Sequence, residues 1–350
     1  MRIVVRGTNW IGDAVMTVPA LRELRRIFPA AHITLHTHSW ARGIFEDADF
    51  IDRILTFEEG KNTVQTVRKQ AKAWRENNFD LCILFTNSFQ TALLSKLGKA
   101  RKSFGYKNEG RSFLLTNSFN KPLWKNKKHE IFYYLNLISK VEKEYFGTQT
   151  VLEHEPKFDL EVSENRRNEA RQILKKFEID SDKKLFALGV GSTNSQAKRW
   201  SPENYAKLND LLQENFNSEI ILIGSDAESD ISNEVYNRAE NKPINITGKT
   251  SLSEVVAILA ECDLLISNDM GLAHVSAAVK TKTITIFGPT NPLTTKPWNA
   301  EIIRREDVEC SPCMLRDCPI DHRCMNWISP ITVFEKAKNL IENKKTLKNL

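Results

Sequence analysis

The sequence predicts an α/β protein made of two parallel-sheet domains. Short apolar runs of strand length alternate with helix-length segments along the chain, the pattern of strands joined by crossover helices. At 350 residues the chain is longer than one typical domain. The polar stretch Leu152–Glu164, which contains Pro156 and lacks a period, interrupts the rhythm before it restarts.

In the first half, strands are expected at Ile3–Val5, His32–His36, Arg53–Phe57 and Leu81–Phe85, with a shorter one near Ser103–Tyr106. Val18, Leu21, Leu24 and Phe28 share one face of a helix from about Ala14 to Phe28, and Pro29 lies just beyond its end. In the second half a helix near Asn165–Phe177 leads to the strand Leu185–Val190. Ser201-Pro202-Glu203 opens the next helix with a cap and a first-turn proline. Strand Glu219–Ile223, helix Ala227–Arg238, strand Ile244–Ile246 and helix Leu252–Ala260 follow. The apolar run Leu264-Leu265-Ile266 then ends in Ser267-Asn268-Asp269 and turns at Gly271 into a small-residue helix. Strand Thr283–Phe287 ends in Gly288-Pro289-Thr290, and a late helix covers Ile331–Asn343. The expected domains are 1–155 and 156–330, with a C-terminal helical segment, 331–350, packing back on the first.

Hydrophobic content of 41% and charged content of 27% describe a soluble globular chain. Fifty basic against 44 acidic residues leave a mild formal charge of +6. No apolar run approaches the roughly 18 residues of a membrane span, and no signal-peptide core follows the N-terminal strand. A cytoplasmic chain with its six cysteines reduced is expected. Between Lys96 and Lys128 stand ten basic residues, Lys125, Lys127 and Lys128 among them, against the single acid Glu109, with aromatics interleaved. This stretch reads either as a solvated loop region or as a cradle for a polyanionic acceptor such as a phosphorylated lipid headgroup or glycan. No nucleic-acid motif accompanies the charge, so nucleic acid is not the expected partner.

A strand end, a tight turn and a helix N-terminus at Asp269–Gly271 present free backbone N–H groups to an anion. A second polar strand end lies beside it, at the sheet edge where ligands gather, and the pair suggests a nucleotide-sugar site. The turn Gly7-Thr8-Asn9-Trp10-Ile11-Gly12-Asp13 is not the Gly-x-Gly-x-x-Gly fingerprint, which disfavours a nicotinamide dehydrogenase. Asp13 reads as an ordinary helix cap or as a carboxylate that takes a proton from an acceptor hydroxyl. The loop Gly191-Ser192-Thr193 through Lys198-Arg199-Trp200 suits a diphosphate, with Lys198 as a point charge, although exposed loop lysines are common. An acid beyond the next strand, Asp226 or Glu228, would accept ribose hydroxyls or cap its helix. Cys310, Cys313, Cys318 and Cys324 form a C-x2-C-x4-C-x5-C cluster, with His322 as a substitute ligand. They could close a tetrahedral zinc or iron site; reduced cysteines packed in a loop are the favoured reading.

Gly12-Asp13, Ala197-Lys198-Arg199-Trp200, Asn268-Asp269-x-Gly271-Leu272-x-His274, Gly288-Pro289-Thr290 and Cys310-Ser311-Pro312-Cys313 occur in this order. Together they resemble the bacterial ADP-heptose:lipopolysaccharide heptosyltransferases, glycosyltransferase family 9, and lean towards the heptosyltransferase II branch. The resemblance spans residues 1 to about 340 and implies a GT-B fold, two Rossmann-like domains facing across a cleft. It implies an inverting, metal-independent transfer of heptose from ADP-L-glycero-D-manno-heptose to the lipopolysaccharide inner core, onto the first heptose. The enzyme would sit peripherally on the inner face of the bacterial inner membrane, with no transmembrane segment.

Carried onto this chain, the resemblance makes Asp13 the general base, Lys198 the diphosphate contact and Asp269 the heptose contact. The Gly271 helix end would receive ADP, with His274 and Thr290 completing a sugar-nucleotide pocket. Gly191, Ser192, Thr193, Arg199, Met270, Leu272 and one of Asp226 and Glu228 would line it. Thr8, Asn9, Trp10, Gly12, Lys125, Lys127 and Lys128 would meet the acceptor. Met270 departs from the small or hydroxyl residue of many relatives, which removes a side-chain hydrogen bond to phosphate. Two other readings remain: a GT-B transferase with another nucleotide sugar or a protein acceptor, and a non-catalytic polyanion- or metal-binding protein.

Overall fold

Each half of the chain folds around its own six-stranded, wholly parallel sheet in a computed structural model that describes residues 1–58 and 62–342. The compact units divide at Leu160/Glu161, five residues beyond the expected 155/156 boundary. In the first, β1 (Arg2–Arg6), β2 (His32–His38), β3 (Arg53–Phe57), β4 (Leu81–Leu84), β5 (Lys102–Tyr106) and β6 (Asn117–Phe119) lie in the order β3-β2-β1-β4-β5-β6. In the second, β7 (Lys184–Gly189), β8 (Ser218–Leu222), β9 (Ile244–Asn245), β10 (Leu264–Asn268), β11 (Lys282–Ile286) and β12 (Glu301–Ile303) lie in the order β12-β11-β10-β7-β8-β9. Counted within its own sheet, each unit has the Rossmann order. The order reverses between β1 and β4 and between β7 and β10, the positions at which such sheets bind ligands.

The first unit shows why its helices form where they do. Helix Thr63–Asn77 starts at Asn62, whose side chain accepts from Gln65 N, and stops at Asn78 in the left-handed region. Val67, Ala71 and Trp74 fall on one of its faces and pack with Val4, Cys82, Leu84, Ala92 and Leu94. Trp74 is wholly buried, and its Nε1 donates to His36 Nδ1 on β2 at 3.1 Å. The single helix expected over Ala14–Phe28 is two, Ile11–Met16 and Val18–Ile27. Pro19 in the first turn of the second has no N–H to continue the first, and Thr17 Oγ1 instead donates to Ala14 O at 2.6 Å. β6 and β12 were not expected: each is a three-residue edge strand with too few apolar positions to show a period.

In the second unit the strand cores Phe186, Leu188, Leu222, Ile266 and Ile286 pack with Trp200, Tyr205, Leu208 and Leu212 from the loop and helix after β7. The closing helix, Pro330–Glu342, contributes Val333, Phe334, Ala337 and Ile341 to this same core, where packing on the first domain was expected. Its apolar stripe is the cover that the sheet face requires. Residues 343–350 lie outside the described residues. No helix among the described residues is long and apolar enough to cross a membrane.

Candidate functional site

At the reversal point of the second sheet, β10 ends in Ser267 and Asn268 and is followed by Asp269, three polar residues that are almost wholly buried. Polar groups at that depth require partners, and those of Asn268 come from across the sheet. Its Oδ1 accepts from Trp200 N and from Tyr205 Oη, both at 3.0 Å. Its Nδ2 donates to Val190 O at 2.7 Å and to Gly191 O at 3.1 Å. One side chain therefore fixes both ends of the loop that follows β7.

That loop carries Lys198 to Asp269. Lys198 Nζ lies 2.8 Å from Asp269 Oδ2 and 3.3 Å from Asp269 O. Thr290 Oγ1, from the turn after β11, donates to the same Oδ2 at 2.7 Å. Asp269 Oδ1 has no hydrogen-bond partner among the described residues. The carboxylate side chain is 7% exposed and the lysine 27%, so the pair is anchored in the protein with its cation towards solvent. Helix Gly271–Ala278 begins immediately after, capped at Met270 without a side-chain hydrogen bond. Its first N–H groups are the positive end of a helix dipole. Met270 lies against Gly189, where a Cβ would approach its Sδ to 3.0 Å. His274 and Leu272 are buried within this helix.

The acids after β8 separate in space. Glu228 is buried, and its Oε2 accepts from Ser225 N at 2.8 Å and Ser225 Oγ at 2.9 Å, a capping box. Its carboxylate lies so close to Gly191 that any Cβ there would overlap it. Asp226 is exposed and lies against Gly248. Within the Gly191 loop, Ser192 is buried and Thr193 exposed. Arg199 Nε and Nη2 bond Ser192 O at 3.2 and 3.0 Å, so this guanidinium closes the loop.

In the first unit the Gly7–Asp13 turn follows β1 at the other reversal point. Trp10 is the helix cap and Asp13 the third helical residue, so Asp13 does not take the capping role that the sequence also allowed. It is half-buried, and its charge, after burial, helps hold the Tyr134 hydroxyl well above its usual range. Thr8 is buried with no partner for its hydroxyl among the described residues, while Asn9 Oδ1 lies 3.4 Å from Arg6 Nη2 and 3.3 Å from His38 Nε2. Trp10 is 55% exposed and Gly12 half-buried.

The basic stretch is not uniform. Arg111 is fully buried and bonds Tyr106 O, Thr86 O and Ser88 O, a structural clamp on the loop after β4. Lys125 pairs with Glu130 at 2.8 Å and lies over the Tyr133 ring. Lys127 and Lys128 are exposed, without ion-pair partners among the described residues, and Lys128 lies 5.6 Å from the Trp124 ring centre.

The four clustered cysteines are free thiols, three on a loop and Cys324 in the short helix Arg323–Asn326. Burial, reinforced by the charges of Cys310, Cys313 and Cys318, pushes the Cys324 thiol up to about 11. His322 Nε2 lies 2.6 Å from Ala197 O, which engages the proposed substitute ligand elsewhere. Among the described residues no three His, Cys, Asp or Glu side chains are arranged to hold a metal ion.

Lys198, Asp269 and Thr290 are thus brought together as the sequence suggested. The role of Asn268 was missed, although a polar residue ending an apolar strand was a usable signal. Arg111, hidden in a basic run, carried no local signal of burial. A family model, glycosyltransferase family 9 (heptosyltransferase), matches residues 67–323. The chain is 29% identical to the lipooligosaccharide heptosyltransferase 2 of Campylobacter jejuni subsp. jejuni serotype O:2, over 98% of this chain and 99% of that one. It is 26% identical to the lipopolysaccharide heptosyltransferase 2 of Escherichia coli, over 87% and 88% respectively. Among solved structures, the E. coli ADP-heptose lps heptosyltransferase II matches with a TM-score of 0.84 at 25% identity, covering 99% of this chain and 100% of that one.

Proposed function

The chain belongs to glycosyltransferase family 9 and has the GT-B fold, and on that footing we propose that it transfers heptose from ADP-L-glycero-D-manno-heptose to the lipopolysaccharide inner core, onto the first heptose, with inversion. Family membership sets aside a non-catalytic polyanion- or metal-binding protein. The relatives named as heptosyltransferases of type 2 support the choice of sugar and acceptor.

The observation that carries the reading is the Asp269 cluster. Lys198 and Thr290 hold Oδ2, which leaves Oδ1 to accept hydroxyls of the heptose ring. Lys198 is a partly exposed point charge beside the helix N-terminus, and together they supply positive potential for the departing diphosphate. Glu228, lying against Gly191, is the ribose carboxylate in preference to the exposed Asp226. Gly191, Ser192, Thr193 and Met270 line the same loops, Arg199 keeps them closed, and Leu272 and His274 back the helix end.

Asp13 takes the proton of the acceptor hydroxyl. The freed oxygen pair attacks the anomeric carbon as the carbon–oxygen bond to the diphosphate breaks, and ADP leaves with that electron pair. No step is assigned to a metal ion. Thr8, Asn9, Trp10 and Gly12 surround Asp13 in sequence and form the acceptor side. Lys127 and Lys128, lacking carboxylate partners among the described residues, fit a phosphorylated, lipid-linked acceptor better than Lys125 does. Such an acceptor places the enzyme peripherally on the cytoplasmic face of the inner membrane.

The test is incubation with ADP-heptose and defined core lipopolysaccharides, with product linkage read by mass spectrometry. Transfer to a core bearing one heptose, and none to a core lacking it, is expected. Transfer only to the heptose-free core, or only from another nucleotide sugar, would overturn the assignment.

A further inference from the structure

The cysteine-bearing segment after β12 has no part in the reaction just described, and it is poorly buried for its composition. Met314, Leu315 and Ile320 are 62%, 47% and 61% exposed, and its only helix is the short turn Arg323–Asn326. It is nonetheless fastened at five points to two loops. Arg316 O accepts from Ala197 N at 2.9 Å and from Ser195 Oγ at 3.0 Å. His322 Nε2 lies 2.6 Å from Ala197 O; a carbonyl only accepts, so this nitrogen carries the proton. Ser311 Oγ donates to Gly288 O at 2.6 Å, and Met314 N to Pro289 O at 2.8 Å. Beneath this second contact, Cys324 and Met325 occupy the space a side chain at position 288 would need.

These anchor points have a common neighbour. Ala197 precedes Lys198, and Pro289 precedes Thr290, the two residues that hold Asp269 Oδ2. We propose that Ser311–Cys324 is a brace that sets the placement of Lys198 and Thr290, with His322 the positioning residue for the Lys198 loop. The inference rests on the reading that the Asp269 cluster binds the sugar nucleotide. Its physical basis is that Gln196–Lys198 is a single 3-10 turn, too short to hold its own geometry. A strong bond to the carbonyl one residue before Lys198 removes the freedom that would let the ammonium leave Asp269. Preorganisation of this kind appears as affinity for the diphosphate, because the loop no longer has to be ordered when it binds.

The experiment compares His322→Ala with His322→Gln, whose amide N–H can still reach the carbonyl. Calorimetric ADP affinity of His322→Ala should fall by about tenfold, the weight of one well-made hydrogen bond. The KM for the sugar nucleotide should rise in step, with kcat changed far less. His322→Gln should recover most of the loss, which a mere packing defect would not allow.

A second measurement needs no variant. Buried Cys324 is reached by a maleimide only when the brace lifts, so saturating ADP should slow its labelling in the wild-type chain, by reciprocity of coupled equilibria. Labelling of Cys324, followed by peptide mass spectrometry, also decides the matter if His322→Ala fails to fold. Unchanged ADP affinity in His322→Ala, or Cys324 labelling indifferent to bound ADP, overturns the brace while leaving the sugar-nucleotide site standing. Absence of ADP binding by the wild-type chain overturns that site, and the brace falls with it.

Discussion

Replacing Asn268 by alanine removes four hydrogen bonds from a position with no solvent access. A buried hydrogen bond contributes about 1 kcal/mol net, and an orphaned partner costs about 1–3 kcal/mol. Tyr205 Oη retains Gly189 O at 3.3 Å, but Trp200 N, Val190 O and Gly191 O lose this partner. The expected loss is therefore about 4 kcal/mol from the second unit. For a unit of this size that corresponds to a fall in Tm of roughly 8–16 °C. Urea unfolding of Asn268→Ala against wild type, with ADP absent, measures it directly. Tyr205→Phe removes one of these four bonds together with the long contact to Gly189 O and should cost about 1–2 kcal/mol. Because the two residues share that bond, the double variant should lose less than the sum of the singles, by about 0.5–1 kcal/mol. An Asn268→Ala loss below about 1 kcal/mol, or strict additivity with Tyr205→Phe, would refute the idea that one side chain holds this loop.

Other consequences follow from the same geometry. Burial first, then the Arg6 and His38 charges, holds the His36 imidazole well below its usual range, and Trp74 Nε1 donates to its Nδ1. The unfolded chain binds a proton there near pH 6.5 and the folded chain does not. Stability is therefore complete above that pH and falls as pH drops below it, by up to about 1.4 kcal/mol per pH unit for this group. Denaturant titrations between pH 7.5 and 5.5 should show the loss, and His36→Gln should flatten it; an unchanged slope in the variant would assign the effect elsewhere. Lys198→Ala should weaken ADP binding and also leave the Asp269 carboxylate without its cation, so Lys198→Ala/Asp269→Asn should be more stable than Lys198→Ala alone. As the proposed base acting on the acceptor only, Asp13 replaced by Asn should lower kcat by at least about 100-fold with ADP affinity within about twofold of wild type. A parallel loss of ADP affinity would remove Asp13 from that role.

Much of the architecture was legible because parallel strands buried on both faces read as short apolar runs. Ile3–Val5, Phe186–Leu188 and Leu264–Ile266 are examples. Edge strands β6 and β12 escaped, since three residues with polar neighbours carry no period. The break at Thr17 was also hidden: apolar spacing continues across it, and only the missing N–H of Pro19 interrupts the helix.

The candidate site divides along the same line. Residue types at strand ends pointed to Lys198, Asp269 and Thr290 individually, because turns at the carboxyl edge of a parallel sheet collect ligand-binding groups. That two of them meet on a single carboxylate oxygen is a property of packing between segments 21 and 71 residues apart. Charge patterning likewise identified a basic stretch but could not sort it. Arg111 is a buried clamp, Lys125 is neutralised by Glu130, and Lys127 and Lys128 are exposed without ion-pair partners among the described residues.

By itself, then, the sequence determined the fold class and the two-unit plan, which depend on local period, and it pointed to candidate site residues by their type at strand ends. Tertiary structure alone decided which polar groups bind each other: Asn268 to the Trp200 and Gly191 backbones, Thr290 and Lys198 to Asp269, and the cysteine segment to the turns bearing Lys198 and Thr290. The physical reason is that hydrogen bonds and ion pairs are short-ranged and directional. They are set by which segments the sheet order brings within about 3 Å, a distance that no spacing along the chain records.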